Sequence, residues 1–293
     1  GLLAGHGGFV VCATFVRGAG EGAVLATGSQ DATVMLWDVP GKAAAATLAG
    51  HRLQVTCVCS PAAGEVVSGS LDASLRRWRL GAGGAWEAAG EVAGAHSTAV
   101  LCLLALDSGA VLSGSGDCTI KLWALSAGGS GLTCERTVTG HTDSVRCLAP
   151  MPGVGFLSAS HDCTARLWSE DGAVLAELVG HTALVYAVAA TSGGLVCTGS
   201  EDNTSKVWRA DGTCLQTLEH PGCVWAVQPL PAGGDFATAC ADGVVRLWTA
   251  EASRADTTGD AAATLEAALE AKRAEKAAAA GGGEGGGGGA GDE

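Results

Sequence analysis

An all-β fold of radially repeated, four-stranded sheets is what this sequence predicts, and three observations predict it. First, one set of residues recurs six times: a His, a hydroxyl residue about twenty positions later, an Asp four after that, and a Trp six after the Asp. The His residues are His6, His51, His96, His141, His181 and His220, and the hydroxyls are Thr27, Ser68, Ser113, Ser158, Thr198 and Thr238. The Asp residues are Asp31, Asp72, Asp117, Asp162, Asp202 and Asp242, each followed by its Trp at Trp37, Trp78, Trp123, Trp168, Trp208 and Trp248. Second, Gly-Ser-x-Asp turns and Gly-rich connections separate short β-branched runs, the punctuation that hairpins require. Third, the repeat length is that of one β-meander, a unit that cannot bury its own face and stacks with its neighbours into a β-propeller.

The units fall at about 5–49, 50–94, 95–139, 140–179, 180–218 and 219–249. Each reads as four strands. In the fourth unit the inner strand covers 145–148 after Gly140-His141, and the second covers 155–160. The turn Ser160-His161-Asp162 leads to the third strand, 165–168, and the outer strand covers 175–179. The sixth unit ends differently, because 249–258 is polar and offers no outer strand. Gly1-Leu2-Leu3-Ala4 reads as the end of an outer strand belonging to a preceding blade. Either residues 1–4 close a six-bladed ring, or a further blade lies upstream. Leu2 and Leu3 run straight into the first Gly-His with no signal peptide, so the chain is expected to begin inside a larger protein.

Beyond the repeats, residues 250–293 form an Ala/Gly-rich tail. Asp260 is placed to cap a helix over about 261–279, with Leu265 and Leu269 as a thin apolar stripe and Lys272, Arg273 and Lys276 late in the helix. The stretch 281–293, nearly all Gly, reads as a flexible linker.

Composition narrows the function. Apolar residues make up 47% of the 293, enough for a substantial core, and the net charge is −13. Residues 251–293 hold nine acidic and four basic side chains, which leaves the propeller near −8. An acidic propeller is a poor nucleic-acid platform, which needs a basic patch to neutralise phosphates. The densest basic group, Arg76, Arg77 and Arg79, is expected on outer strands. The repeats contain no run of eighteen apolar residues, so no membrane partner is expected. Of the twelve Cys, Cys12, Cys57, Cys102 and Cys147 fall at one phase of the repeat inside apolar strands, where a thiol serves as a small core hydrophobe. Reduced structural thiols fit a cytoplasmic or nuclear protein. Cys57-x-Cys59 lacks zinc spacing, and His161 has no second ligand beside it, so neither metal nor cofactor is expected. A hydroxyl residue, His and Asp occur six times at fixed repeat positions, whereas a catalytic triad occurs once. No catalytic residue is assigned.

The repeat signature resembles the WD40 family over residues 1–249. That resemblance implies that the turn Asp accepts hydrogen bonds from the His, and that the hydroxyl and the indole join the network. Segments between the signatures resemble one family more closely. They are Gly50-His51-Arg52-Leu53-Gln54-Val55-Thr56 with Leu71-Asp72-Ala73-Ser74-Leu75-Arg76-Arg77-Trp78, and Leu157-Ser158-Ala159-Ser160-His161-Asp162. Gly180-His181-Thr182-Ala183-Leu184-Val185-Tyr186 with Gly199-Ser200-Glu201-Asp202 adds a third. The sharpest is Glu219-His220-Pro221-Gly222-Cys223-Val224-Trp225, followed by Thr238-Ala239-Cys240-Ala241-Asp242-Gly243 and then Val244-Val245-Arg246-Leu247-Trp248-Thr249. Over about 1–258 the chain resembles the phospholipase A-2-activating protein family, ubiquitin-binding cofactors of an AAA segregase. The resemblance implies ubiquitin or ubiquitinated proteins as partners, in proteasome-linked degradation and ubiquitin recycling. It implies seven blades, the first absent here, and segregase docking through a downstream domain also absent.

A propeller's narrow top face is built from three positions per blade: two at and just inside the inner strand's start, and one before the turn Asp. Read from the repeats, they place Phe9, Leu71, Leu101, Leu184, Tyr186 and Trp225 around an apolar mouth, with Arg146, His161 and Glu201 at its rim and Gln54 on the same face as a further partner-binding candidate. The set holds the chain's only Tyr and the only His outside the repeat. Aromatic anchors with a polar edge suit a protein partner, and an acidic surface complements ubiquitin's apolar patch with its basic flanks. Inner-strand positions such as Val11, Leu101 and Tyr186 have a second reading, as packing along the channel wall. Two other functions stay open: a WD40 scaffold of another pathway, such as the substrate receptor of a ubiquitin ligase, and a propeller enzyme with convergent acids or metal ligands in its channel.

Overall fold

Alternating apolar residues and tight turns yield short antiparallel strands, and a computed structural model describes them over residues 2–18, 23–126, 131–231, 234–249 and 259–281. Blade one comprises β1 (Val10–Val16), β2 (Val24–Ser29), β3 (Thr33–Asp38) and β4 (Ala43–Ala49). Blade two comprises β5 (Val55–Cys59), β6 (Glu65–Ser70), β7 (Leu75–Leu80) and β8 (Trp86–Val92). Blade three follows with β9 (Val100–Ala105), β10 (Val111–Ser115), β11 (Ile120–Leu125) and β12 (Leu132–Val138). Blade four holds β13 (Val145–Met151), β14 (Gly155–Ser160), β15 (Thr164–Ser169) and β16 (Val174–Val179). Blade five holds β17 (Val185–Ala190), β18 (Val196–Ser200), β19 (Thr204–Trp208) and β20 (Cys214–Glu219). Among the described residues blade six holds three strands: β21 (Val224–Pro229), β22 (Phe236–Cys240) and β23 (Val245–Trp248).

Each sheet pairs its strands in chain order. The core lies between blades. Ala26, Val34, Leu36 and Leu48 of blade one pack on Val55, Val58, Val66 and Trp78 of blade two. Blades four and five meet in the same way, through Leu157, Ala165, Leu167 and Leu178 against Val185, Val188, Val196 and Trp208. Each buried Val or Leu contributes ~1.5–3 kcal/mol, so the stacking of blades, more than any one sheet, holds the molecule together.

The stack is an open arc. Inner strands pack one on the next from β1 through β21, with no comparable packing between β21 and β1. Residues 2–4 pair with no strand, and among the described residues β23 pairs only with β22, so the alternative in which the N-terminal residues close a six-bladed ring is not seen in the described residues.

The tail helix α1 spans Asp260–Gly281, slightly longer than expected. Lys272, Arg273 and Lys276 consequently stand before its last turn, which holds no basic residue. Leu269 is its buried contact, and Arg273 pairs with Glu219 at 2.7 Å. The linker expected over 281–293 lies, past Gly281, outside the described residues.

One sequence reading is corrected here. Arg76, Arg77 and Arg79 sit on β7, the third strand, and each is paired: with Glu91 at 2.8 Å, Glu65 at 2.6 Å and Glu87 at 3.0 Å. Arg77 is buried and also donates to the Ser126 carbonyl of blade three. They form no free basic patch. The twelve Cys are free thiols, and burial pushes those of Cys12, Cys59 and Cys197 up to about 12.

Candidate interaction face

In five blades the repeated residues form one chain of hydrogen bonds. The His Nδ1 lies 2.9, 3.2, 2.9, 2.7 and 2.8 Å from the Oδ2 of Asp31, Asp72, Asp117, Asp162 and Asp202 in turn. A carboxylate only accepts, so Nδ1 carries the proton and Nε2 accepts from the strand hydroxyl, 2.7–2.8 Å away. That hydroxyl in turn accepts the Trp indole N–H at 2.7–2.9 Å.

Further donors converge on each turn Asp. The backbone N–H after the His (Gly7, Arg52, Ser97, Thr142 or Thr182) donates to Oδ2. The hydroxyl two residues after the Asp (Thr33, Ser74, Thr119, Thr164 or Thr204) donates to Oδ1. Burial works against the charged carboxylate, but these bonds prevail and hold each of the five Asp well below the usual range. A Ser two positions before the Asp (Ser29, Ser70, Ser115, Ser160 or Ser200) accepts the Asp backbone N–H. Sequence reading missed both hydroxyl positions, although each recurs at a fixed offset from the Asp.

The sixth blade departs, which corrects the expectation that all six networks are alike. His220 Nδ1 donates to the Leu218 carbonyl at 3.0 Å, and Asp242 pairs with Arg246 at 2.6 Å. The cause is local: Pro221 follows His220 and has no N–H to give, and Val244 has no hydroxyl. Thr238 still bonds His220 Nε2 and the Trp248 indole, both at 2.9 Å.

These networks pin the loops that shape the top face. In every blade the residue before the turn Asp donates its backbone N–H to the residue at the inner strand's start. The pairs are Gln30–Phe9, Leu71–Gln54, Gly116–Ala99, His161–Ser144, Glu201–Leu184 and Ala241–Cys223, at 2.8–3.0 Å. Between them each inner strand carries a β-bulge, and the unpaired residue is Val11, Thr56, Leu101, Arg146, Tyr186 or Trp225. A bulge bends the strand and re-aims that side chain away from the ladder. All three sequence-derived positions of each blade are therefore brought to one end by main-chain geometry.

Side chains join three of the blades. His161 stands edge-on to Tyr186, with centroids 5.8 Å apart, and Tyr186 lies over Trp225 at 4.6 Å and 33°. Burial and the nearby Glu201 charge raise the Tyr186 phenol above its usual value, while Arg146 opposes them. Trp225 is 52% exposed and Phe9 78%, with Leu71 and Leu53 also exposed; Leu53 was not singled out from sequence. Gln54, Leu101 and Leu184 are half-buried, whereas Arg146 and Glu201 reach solvent. The expected closed mouth is an arc, since Phe9 on blade one and Trp225 on blade six belong to the two ends of the stack. Among the described residues no three His, Cys, Asp or Glu are grouped to hold a metal, and no helix is long and apolar enough to cross a membrane.

Six meander blades, each locked by this His–hydroxyl–Trp network, define a β-propeller of WD-type repeats. The WD domain, G-beta repeat family matches residues 1–38, 43–79, 91–124, 132–169, 172–209 and 212–249, and the chain belongs to it. Propellers of this family generally serve as non-enzymatic scaffolds for protein–protein contacts. The fold is similar to that of the computationally designed Ika8 protein, at 27% identity and a TM-score of 0.70, over 84% of this chain and 72% of that one. It is also similar to the WD40 β-propeller domain of Doa1, at 25% identity and a TM-score of 0.66, over 86% and 96%. No curated protein sequence matches the chain.

Proposed function

We propose that the top face binds ubiquitin or ubiquitinated proteins, as the substrate-side module of an adaptor in segregase- and proteasome-linked ubiquitin handling. The observation that carries the reading is the ladder His161–Tyr186–Trp225, which ends in a half-exposed indole, with the Glu201 charge acting on Tyr186. Exposed aromatics of this kind act as hot spots in protein interfaces, and the acid rim complements an apolar patch flanked by basic residues. The motif resemblance over 1–258 and the likeness to the Doa1 propeller support the choice of partner.

Retention of the chain on immobilised ubiquitin tests the reading. Wild type is retained, and Trp225→Ala or Tyr186→Ala lowers retention at least about tenfold, the effect of a hot spot worth more than ~1.4 kcal/mol. Equal retention of wild type and both variants, or none by any of them, counts against it. Trp225 is exposed, so its removal leaves the fold intact and a circular-dichroism melt of the variant overlays wild type.

A further inference from the structure

A hollow of about 420 Å³ opens between blades three and four, at the end of the strands opposite the turn Asp. Its walls are Leu106, Leu112, Leu122, Val138, Met151 and Phe156. Leu112, Val138 and Phe156 belong to the core of this interface, and Leu106 and Leu122 pack against it, so the hollow reaches down to buried apolar surface. The β9–β10 and β13–β14 connections bound it on the side of the inner strands. On the side of the outer strands it is bounded by β12 and the β15–β16 connection.

The neighbouring interface shows why this one is hollow. Arg77 stands directly before Trp78 and Leu122 directly before Trp123, so the two share a position in their blades. Glu65 stands three residues before the strand hydroxyl Ser68, and Ala110 three before Ser113. Blade two thus sets a long buried arginine and its glutamate against blade three, where Arg77 donates to the Ser126 and Gly131 carbonyls. Blade three carries two shorter apolar residues at these positions, and both line the hollow. Its reach to the next blade's backbone comes instead from the outer strand, through Arg136 on the Asp171 carbonyl. That contact holds the blades together around the space without filling it.

The charge at the rim selects the occupant. Arg136 is engaged with blade four, and Arg17 forms a loose pair with Asp107 at 3.8 Å. Glu135 and Glu170 are exposed and have no ion-pair or hydrogen-bond partner among the described residues. We propose that the hollow is a second docking site, taking a linear peptide segment of a partner protein with two bulky apolar side chains flanked by Lys or Arg. A cavity of ~150 Å³ holds one benzene, so about 420 Å³ admits two groups of that size. Apolar anchors seated on Leu122 and Phe156 supply the affinity, and the basic flanks answer Glu135 and Glu170. The site lies at the opposite end of the blades from Tyr186 and Trp225, so the two faces are occupied independently.

The test selects a phage-displayed library of short random peptides on the chain and compares their binding to the double variant Ala110→Glu, Leu122→Arg. That variant transplants the ion pair of blade two into the hollow, and because blade two folds around the pair, its circular-dichroism spectrum is expected to match wild type. Enriched peptides are expected to carry two bulky apolar residues between Lys or Arg. They are expected to bind the filled variant at least about tenfold more weakly and to be indifferent to Trp225→Ala. Glu135→Gln with Glu170→Gln, both at exposed positions, is expected to weaken them at least about threefold and to flatten their salt dependence. This rim variant decides the matter if the filled one does not fold. No enrichment, or peptides that bind wild type and the filled variant equally, overturns the proposal, as does binding insensitive to both salt and the rim substitutions. A chain that sediments as a dimer, and as a monomer once the hollow is filled, assigns the space to a second copy and overturns it too. None of these readouts involves ubiquitin, so failure here is distinct from failure of the binding assay.

Discussion

The carboxylate at each hairpin turn shows how much one residue's environment decides. Asp162 accepts from His141, Thr164 and the Thr142 N–H, whereas Asp242 has lost the His and is held by Arg246 and the Val244 N–H. Asp162→Ala is expected to cost ~2–4 kcal/mol in urea unfolding and Asp242→Ala less than about half of that, because the first leaves several buried donors unanswered. Acid acts on the same groups. The five turn Asp have depressed folded-state values, so their contribution is complete above an unfolded value of ~4 and is lost as pH falls below it. Burial lowers His51, His96 and His220, so the stability of keeping them neutral is complete above ~6.5 and declines as pH falls through that region. Melting temperature measured from pH 8 downward is expected to sag mildly below pH 6.5 and steeply below pH 4; a flat profile to pH 3 would contradict the network. The His, hydroxyl, Asp and Trp were legible in the sequence because they repeat in phase. The failure in blade six was visible only as Pro221, and its meaning needed the geometry of the N–H it replaces.

At the level of the strand, the element that builds the interaction face is the bulge at the start of each inner strand, and nothing in the residue types announces it. Val11, Thr56, Leu101, Arg146, Tyr186 and Trp225 share a position but no chemistry. Periodicity locates the strand and leaves the extra residue invisible. The hairpin after it is more legible: the residue following the turn Asp adopts a left-handed conformation, with φ of 65° at Ala32, 64° at Ala73 and 79° at Gly243. Only the sixth blade places a glycine there, and the fifth places Asn203, which also tolerates this conformation. Ala73→Gly is therefore expected to stabilise the chain by ~1 kcal/mol, read as a shift in urea midpoint without a change in slope. Between blades two and three, buried Arg77 ties Glu65 to the Ser126 carbonyl. Arg77→Ala is expected to cost ~3–5 kcal/mol by leaving the Glu65 charge unpaired, and Arg77→Ala with Glu65→Ala together less than Arg77→Ala alone.

Across the whole molecule, repetition made the architecture readable and also marks where it stops. Six equal units predict a stack of blades, but whether a stack closes is a matter of curvature and of faces at its two ends, which no single unit encodes. The exposed Val10, Val245 and Leu247 carry that information once their buried counterparts in other blades, such as Val55, Leu75 and Leu36, are set beside them. Charge acts at this scale as well. With a net charge of −13 and the arginines of β7 paired, the molecule offers basic partners an attractive field and offers phosphate backbones none. The proposed ubiquitin contact lies at one end of this arc, anchored on Tyr186 and Trp225. A titration of isotopically labelled ubiquitin with the propeller, beside the same protein with Tyr186→Ala and Trp225→Ala, tests it. Shifts confined to ubiquitin's hydrophobic patch and its basic flanks, and lost with the double variant, are the predicted result; an unperturbed ubiquitin spectrum at near-millimolar propeller, or shifts that survive the double variant, would contradict it.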